Sequence, residues 1–503
     1  MPHPPPRDLA SMPRSSRPSP TLRLSALRLS ALLFSALPPL LGCGGADAGA
    51  DAGATSDASA DAGPALDPWP SRVPDALELG DRRGFRVARS IVHLHSPLSH
   101  DACDGAGWES GGLAAPACLE HLRSALCALH VDAAMLTDHA PHLNTIPLEV
   151  GLWMDVGDEE VRNLTGELVA SRMVCPDGHR VLVTAGSENA LMPLGLERHV
   201  LDTADPAALE VAYDASDPAA VTAFRDAGAL VWIAHTEGQT LEALRAVAPD
   251  GLEIYNLHAN VDPRIREADL GLDPGGFIAD LLSFASSRST LPPDLAVMTF
   301  LDENRPSLDR WDTLLAEGAR PSGTGGCDAH ENALPMILSD GERADSYRRM
   351  MLWISNHLLV RSVDPEAVDE ALSRGRLYVT FEVFGTPMGF DFRAEAAGAV
   401  HEMGDDAPLG ATLRIVRPSL PEGFPADPAP AIRMRLLRAE AGGAVEVAAS
   451  DGPELIFEAL EPGAYRAEVR MIPEHMRPYL GRRADTWIRE HVWVYSNPIF
   501  VGL

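Results

Sequence analysis

Short apolar runs alternate with helical patterns through residues 84–385. Helices are marked by leucines at helical spacing or by an N-cap residue followed by proline, and they are predicted at 113–130, 217–227, 239–248 and 307–318. Strands are predicted at 91–95, 133–137, 181–184, 230–234, 252–255, 295–300 and 322–328. Because alternating strand and helix units build parallel sheets, the pattern predicts an α/β fold, most simply a barrel over 71–385 with its chemistry at the carboxyl ends of the strands.

Residues 386–503 have a different pattern. Short apolar runs, many of them alternating and separated by Gly, Pro and Asp, predict strands at 412–416, 432–437, 444–449, 455–460, 465–471 and 491–495. This spacing is typical of a β-sandwich. Since no convincing cluster of metal-type residues lies among these strands, we expect a C-terminal accessory domain.

The first 42 residues have the features of an export signal. Basic residues precede an apolar run at 29–41, which is too short for a comfortable membrane span and ends in Leu40-Leu41-Gly42-Cys43, a sequence that resembles the bacterial lipobox. The prediction is an exported lipoprotein, anchored in the bacterial envelope through Cys43 and facing the periplasm or lying at the outer membrane. An ordinary signal peptide with a chance cysteine is the alternative. The Ala/Asp/Gly-rich residues 43–70 are predicted to be a disordered acidic tether.

Charge and residue usage exclude several classes of function. The net charge of −31 argues against nucleic acid as a partner, because a phosphate backbone requires a basic surface. The sequence contains no lysine, which excludes Schiff-base chemistry, a P-loop and a carbamylated-lysine metal bridge. Five cysteines follow Cys43, so at most two disulfides form within one chain and the pairing stays open. Cys103–Cys118 is the nearest loop-to-helix candidate pair, and Cys327 is the candidate free thiol.

Metal-type side chains follow most of the predicted barrel strands. In an extended strand, His93 and His95 would point to the same face about 7 Å apart, where two imidazoles can take one divalent metal. The carboxyl ends of barrel strands meet at one opening of the barrel. The pattern therefore predicts a metal centre there, made of six histidines, two aspartates and one glutamate: His93, His95, Asp101, His139, Glu188, His235, His258, Asp328 and His330. Asp104 is a rival to Asp101, and a satisfied polar histidine near Asn256 is the alternative reading of His258.

The order of these motifs resembles the PHP (polymerase and histidinol phosphatase) metallohydrolases. The shared features are His93-Leu94-His95, a nearby Asp, Thr137-Asp138-His139, Gly186-Ser187-Glu188, two single histidines and Cys327-Asp328-Ala329-His330. An exported barrel followed by a β domain that ends in Tyr495-Ser496-Asn497-Pro498-Ile499 resembles the carbaryl-hydrolase-like branch. The family usually has its Asp five residues after the second His, where this chain has His100 and places Asp101 one residue later.

The resemblance implies a distorted (β/α)7 barrel that holds two or three divalent ions of zinc, manganese or iron. By position, His93, His95, Glu188 and Asp328 would hold the first ion. Glu188 would bridge to a second ion, completed by His235 and His258. A third ion would be held by Asp101, His139 and His330.

The implied function is hydrolysis of a phosphate ester, either a monoester or a diester, by metal-activated water. Because the resemblance implies that Glu188 bridges two metals, it also implies that Glu188 is a catalytic residue. Arg198 and His199 follow Glu188 closely and are candidates for contacting a small anionic ester substrate or protonating its leaving group, although Arg198 could equally be a surface residue. The alternatives are a carboxyl-ester, amide or carbamate hydrolase on the same metal centre, and a surface lipoprotein that binds a metal or ligand without turnover. Substrate, metal identity and oligomeric state stay open.

Overall fold

The structure is a computed structural model and describes residues 67–286 and 288–503. The predicted signal peptide, the lipobox with Cys43 and nearly all of the predicted tether lie outside the described residues. All described residues belong to one compact unit, Gly63–Leu503. Among their helices, none combines the length and the apolar character needed to cross a membrane.

The first fourteen strands include one long strand, Phe85–Leu94, that pairs with four of the others. They are β1 (Asp81–Arg82), β2 (Phe85–Leu94), β3 (Trp108–Glu109), β4 (Gly112–Leu113), β5 (Ala133–Leu136), β6 (Glu159–Arg162), β7 (Leu168–Val174), β8 (Arg180–Thr184), β9 (Met192–Leu194), β10 (Leu230–Ile233), β11 (Gly251–Asn256), β12 (Ser322–Ala329), β13 (Ser355–Val360) and β14 (Leu377–Thr380). Parallel pairing runs in the order β8–β5–β2–β12–β11–β10. This arrangement brings the carboxyl ends of six strands to one edge.

The helices of this part repeat a local start signal. They are α1 (Ala102–Gly105), α2 (Pro116–Ala128), α3 (Ala140–Leu143), α4 (Pro206–Tyr213), α5 (Pro218–Asp226), α6 (Leu241–Val247), α7 (Pro263–Ala268), α8 (Ile278–Ala285), α9 (Arg305–Ala316), α10 (Tyr347–Trp353) and α11 (Pro365–Arg374). An Asp-Pro pair begins α4, α5, α7 and α11, and in each helix the aspartate accepts hydrogen bonds from first-turn amides. Proline fits the first helical position because it lacks an amide hydrogen and already has a helical φ.

The C-terminal region is mostly β-structure in two sheets. Its elements are β15 (Asp391–Ala396), β16 (Ala399–His401), β17 (Asp406–Ala407), β18 (Thr412–Val416), β19 (Ala431–Glu440), β20 (Gly443–Ser450), β21 (Glu454–Glu458), β22 (Gly463–Ile472), α12 (Arg477–Leu480), α13 (Ala484–Trp487), β23 (His491–Ser496) and β24 (Ile499–Val501). Strands β16, β15, β18 and β21 form a separate sheet of four. The other strands join the main sheet, because β14 pairs with both β13 and β23.

The α/β class is confirmed by this large mixed sheet, which has 18 strands within the described residues. It is not a regular alternation of parallel units, since β9 pairs antiparallel with β10, β7 with β8, and β13 with the first half of β2. The exact (β/α)7 barrel, the separate C-terminal sandwich and the domain boundary at 385/386 stay predictions.

One predicted strand is wrong. Residues 295–300 were expected to be extended, but they lie mostly in the 3-10 helix Pro293–Thr299. The other 3-10 helices are Ala76–Leu79, Leu148–Leu152, Thr236–Gly238, His258–Asn260, Glu382–Phe384, Glu474–Met476 and Gly481–Arg483. A short, fully buried apolar run has no periodicity that separates a strand from a helix, and Pro293 at the first position favours the helix.

Apolar side chains of neighbouring strands of the main sheet form a buried cluster, which includes Val92, Met135, Leu182 and Trp232. The Trp232 indole nitrogen donates a hydrogen bond to the Thr324 hydroxyl, 2.9 Å away, so this buried ring has no unpaired donor. The strands therefore enclose a packed core that supports the residues at their carboxyl ends.

Candidate metal centre

Six strands deliver the nine predicted ligand residues to one site. His93 is on β2 and His95 follows its last residue, while Asp328 is on β12 and His330 follows it. The remaining strand-end residues come just after β5, β8, β10 and β11, and are His139, Glu188, His235 and His258. Asp101 lies in the loop after His95. The parallel pairing explains the convergence, because parallel strands end at the same edge of a sheet.

Backbone strain accompanies three of these residues. The φ angles are +65° at His93, +48° at His235 and +51° at Asp328. Residues other than glycine rarely adopt this left-handed region, and such positions concentrate at functional sites. The pairing of β2 with both β5 and β12 shifts register at this point. Strand β2 is therefore irregular at the place where its histidines meet.

The rings of His93 and His95 lean toward each other. A regular strand would place the two residues about 7 Å apart on one face. Their ring centroids are 5.1 Å apart and their Nε2 atoms 3.1 Å apart. The two Nε2 atoms are therefore close enough to reach one ion.

The first group of donors contains His93, His95, Glu188 and Asp328, all of them buried. Glu188 Oε2 is 3.1 Å from His93 Nε2 and 3.3 Å from His95 Nε2. Asp328 Oδ1 is 3.2 Å and 3.5 Å from the same two nitrogens. Two imidazoles and two carboxylates aimed at one point can hold a divalent ion.

The second group shares both carboxylates with the first. Glu188 Oε1 is 3.5 Å from His235 Nε2. Asp328 Oδ2 is 3.2 Å from that nitrogen and 3.4 Å from His258 Nδ1. Glu188 therefore faces two histidine groups with its two oxygens, as a bridging carboxylate would, and Asp328 spans them as well, which was not predicted.

The third group contains Asp101, His139 and His330, together with His95. Asp101 Oδ2 is 3.6 Å from Nε2 of both His139 and His330. The rival Asp104 instead forms an ion pair with Arg343 at the surface, where its side chain is 54% exposed. The structure therefore brings Asp101, and not Asp104, to the cluster.

Hydrogen bonds from behind orient three of the histidines. His93 Nδ1 is 2.7 Å from Glu253, His235 Nδ1 is 3.0 Å from Glu237, and His95 Nδ1 is 3.0 Å from the Ser99 hydroxyl. Such partners fix the ring and its tautomer in metal sites. The sequence reasoning missed Glu253 and Glu237. The available signal for Glu253 was a charged residue inside the apolar run 251–256, because a buried carboxylate needs a hydrogen-bond donor or a cation as its partner.

Burial and charge act in opposite directions on these groups. Burial opposes the charged form of His93, but the carboxylates of Asp328 and Glu188 raise its pKa well above the usual value. Burial likewise raises the pKa of Glu188 and Asp328, yet the histidines around them, His93 foremost, hold both pKa values well below normal. Burial lowers the pKa of His330 to about 3, and the neighbouring His95 adds to the effect. Burial opposes the imidazolium of His139, but Asp101 and Glu188 raise its pKa to about 9.

The donor set fits divalent cations. Within the described chain, Asp328 Oδ1 and His330 Nε2 are buried and have no hydrogen-bond partner. Buried polar atoms are normally paired, and a bound cation would give both of these atoms a partner. Imidazole and carboxylate oxygen together suit zinc, manganese or iron.

Arg198 and His199 are not brought to this cluster. Arg198 is exposed and donates to the carbonyl of Asp226. The two ring nitrogens of His199 pair with the Tyr213 hydroxyl at 2.8 Å and the Ile146 carbonyl at 2.9 Å. No hydrogen bond or ion pair of the described residues links either side chain to the nine ligand-type residues. Arg198 and His199 are close to Glu188 in sequence but form no hydrogen bond or ion pair with the cluster among the described residues, because both side chains bind other segments of the chain.

The cysteines pair as Cys103–Cys118 and Cys127–Cys175, and Cys327 is free and buried. The candidate pair and the candidate free thiol are confirmed. The Cys103 amide also donates to the His330 carbonyl at 2.8 Å, so the loop that carries Asp101 is held against the end of β12.

The fold and the site define an α/β protein whose clustered His, Asp and Glu side chains could bind divalent metal ions. No protein-family model matches the chain, and no curated protein sequence matches it. A solved structure from Bacteroides vulgatus ATCC 8482, a two-domain protein containing a predicted PHP-like metal-dependent phosphoesterase, is similar at 11% identity and a TM-score of 0.32. The similarity covers 86% of this chain and all of that one. The function of this chain therefore has to follow from its own side chains.

Proposed function

We propose that this protein is a metal-dependent hydrolase of the PHP type that acts on phosphate esters. One observation carries the proposal. Glu188 is a buried carboxylate whose two oxygens face two different histidine groups, at 3.1 Å from His93 and 3.5 Å from His235. A carboxylate in that position suits a centre of two or more ions, the arrangement that phosphoryl-transfer hydrolases use to hold attacking and leaving oxygens.

The nine side chains form three sets of ligands, one for each ion. The first ion would be held by His93, His95, Glu188 and Asp328, and the second by Glu188, His235 and His258 with the far oxygen of Asp328. Asp101, His139 and His330 would hold a third ion. When bound, the ions supply Lewis acidity, which lowers the pKa of water and neutralises charge on phosphoryl oxygens.

The exposed fractions of the nine side chains support a direction of approach for a substrate. The side chains of His93, His95 and Asp328 are at most 1% exposed, whereas those of His139, His258, His235 and Asp101 are 21%, 24%, 29% and 35% exposed. The substrate would therefore meet the outer four residues, while the inner three exclude water from the floor. We infer that a small anionic ester reaches this open face.

The proposal is tested on the purified protein loaded separately with zinc and manganese. Metal content is measured, and hydrolysis is assayed with p-nitrophenyl phosphate and bis-p-nitrophenyl phosphate. Glu188→Gln keeps the side-chain volume but removes the bridging charge, so we expect it to lose bound metal and hydrolysis together. Asp104→Asn is the matched control, because among the described residues the hydrogen bonds of this nearby carboxylate all go to Arg343, and we expect the variant to retain both.

Two outcomes would refute the proposal in different ways. A folded protein that takes up no metal would remove the centre itself. Bound metal with hydrolysis of p-nitrophenyl acetate but of neither phosphate would assign the site to carboxyl esters. The ratio of activities on the two phosphates, if present, separates monoesterase from diesterase.

We further propose membership of the carbaryl-hydrolase-like branch and export as a lipoprotein anchored at Cys43. The motif order and the lipobox-like Leu40-Leu41-Gly42-Cys43 support these proposals. Labelling cells with a palmitate analogue tests the anchor. Label should enter the wild-type protein and be absent from Cys43→Ala, and an unlabelled wild-type protein would contradict the anchor.

A further inference from the structure

We infer that Glu253 is a positioning residue that holds the ligands of the first and the second metal ion in one fixed relation. The inference rests on the proposed function in taking His93 and His235 as metal ligands. Glu253 lies on β11 and is fully buried. Its Oε1 is 2.7 Å from His93 Nδ1, and its Oε2 accepts hydrogen bonds from the His235 amide at 3.0 Å and from Asn256 Nδ2 at 2.9 Å.

These contacts reach both halves of the centre at once. The bond to His93 aims the Nε2 atom of that ring at Glu188 and Asp328. The bond to the His235 amide holds the backbone at a residue whose φ of +48° is uncommon for histidine. One carboxylate therefore orients a ring of the first group and stabilises the strained backbone that presents a ring of the second.

Only a carboxylate satisfies these partners. Metal binding through His93 Nε2 requires the ring proton on Nδ1. Each oxygen of Glu253 then faces donors, one from His93 on one side and two on the other side. A glutamine would offer one acceptor and would turn an NH2 group toward donors on the other side. A buried donor that faces another donor is left without a hydrogen bond and destabilises the fold. This explains why the apolar strand β11 contains a carboxylate at position 253.

The neighbouring strand leaves space for this side chain. A Cβ added to Gly326 would lie 1.8 Å from Glu253 Oε1 and 2.6 Å from its Cδ. Any larger residue at 326 would force the carboxylate away from His93. Gly326→Ala is therefore a second, independent way to disturb Glu253 without changing the residue itself.

Glu237 provides a matched comparison within the same site. It is also buried, and its Oε1 is 3.0 Å from His235 Nδ1, but its Oε2 pairs with Asn304 and Ser307. It contacts one ligand of one group. Glu237→Gln should therefore weaken only the ion that His235 holds, whereas Glu253→Gln should weaken both.

The test is a titration of the metal-free protein with Co²⁺, followed by visible absorption and by chelator competition. Loss of a hydrogen-bond partner behind a metal ligand typically weakens metal binding about 10–100-fold. We expect that loss at two sites in Glu253→Gln and Gly326→Ala, and at one site in Glu237→Gln, with an altered Co²⁺ spectrum in each. Circular dichroism of the metal-free proteins shows whether they fold. If Glu253→Gln does not fold, Glu253→Asp, which keeps the charge but not the reach, is measured with the same expectation.

Wild-type affinity at both sites in the Glu253 variant would overturn the inference, as would a loss confined to the site that Glu237 affects. This failure differs from failure of the proposed function. A wild-type protein that binds Co²⁺ with these two-site effects but cleaves neither phosphate ester would refute the phosphoesterase and leave the role of Glu253 standing.

Discussion

A buried ion pair joins the central strand to the segment that follows β14, and its removal should cost much of the stability of the fold. Arg89 of β2 donates from Nε and Nη2 to the two oxygens of Glu382, at 2.9 and 3.0 Å. Both side chains are 1% exposed. Glu382 also accepts from His357 Nε2 at 2.7 Å and from the Ser355 hydroxyl at 2.6 Å. Glu382→Gln keeps the volume and removes the charge.

The expected loss follows from these contacts. Removing one partner of a buried ion pair costs about 3–5 kcal/mol, because the other charge stays desolvated and unpaired. The amide oxygen of the variant still accepts one hydrogen bond, and Arg89 Nη1 keeps the carbonyls of Pro74 and Leu129 at 3.0 and 3.1 Å. We therefore expect the lower end of the range, about 3 kcal/mol, or roughly a hundredfold in the unfolding equilibrium.

Acid should remove the same contribution from the wild-type protein. Burial raises the pKa of Glu382, but the Arg89 guanidinium and His357 hold it well below the usual value of 4.5. A carboxyl whose pKa is lowered in the folded state stabilises the protein above its unfolded pKa and loses that effect as the pH falls below it. The difference between wild type and variant should shrink below about pH 4.

Urea unfolding at pH 7, followed by tryptophan fluorescence and circular dichroism, measures the loss. Glu160→Gln is the control, since the side chains of Glu160 and its partner Arg162 are half exposed and the pair should contribute less than about 1 kcal/mol. A loss below about 1 kcal/mol in Glu382→Gln would refute the reasoning, because it would mean that Arg89 regains water or another partner. Two separate transitions, of which only one moves, would support the predicted domain boundary.

Three further predictions concern the site. Asp101→Asn should lower the metal content, whereas Asp104→Asn should not, and elemental analysis of the two proteins measures the difference. Equal losses would contradict the assignment of Asp101 to the third group. In the metal-free protein His139 has a pKa of about 9, so its stabilisation is present below about pH 6.5 and lost as the pH rises through 9. Zinc needs the neutral ring, so calorimetry in buffers of different ionisation enthalpy should detect proton release at pH 7 that declines toward pH 9.5, and no release would contradict the shift. Cys327 should react with Ellman's reagent only after denaturation, and reaction in the folded protein would contradict its burial.

Much of the candidate site could be predicted because its residues obey a local rule. Apart from Asp101 in the loop after His95, each ligand-type residue stands at or shortly after the end of an apolar run, and a run of that kind predicts a strand without knowledge of its neighbours. His139, His235 and His258 were found in this way, and the structure places all three in the cluster. The same local reasoning failed at 295–300, where a buried apolar run gives no period to distinguish helix from strand.

Local residue patterns are enough to predict the class of fold, the strand ends that carry metal-type side chains and the chemical type of the donors. Which donors face each other depends on how distant segments pack. Packing brings His93 against His95, places Asp328 across two groups, sets Asp101 rather than Asp104 at the metal centre and directs Arg198 away from it. Local patterns cannot predict these contacts, because strand and helix periodicity act over a few neighbouring residues. The register of β2 against β5 and β12, and the hydrogen bonds behind the ligands, join residues that lie far apart in the chain.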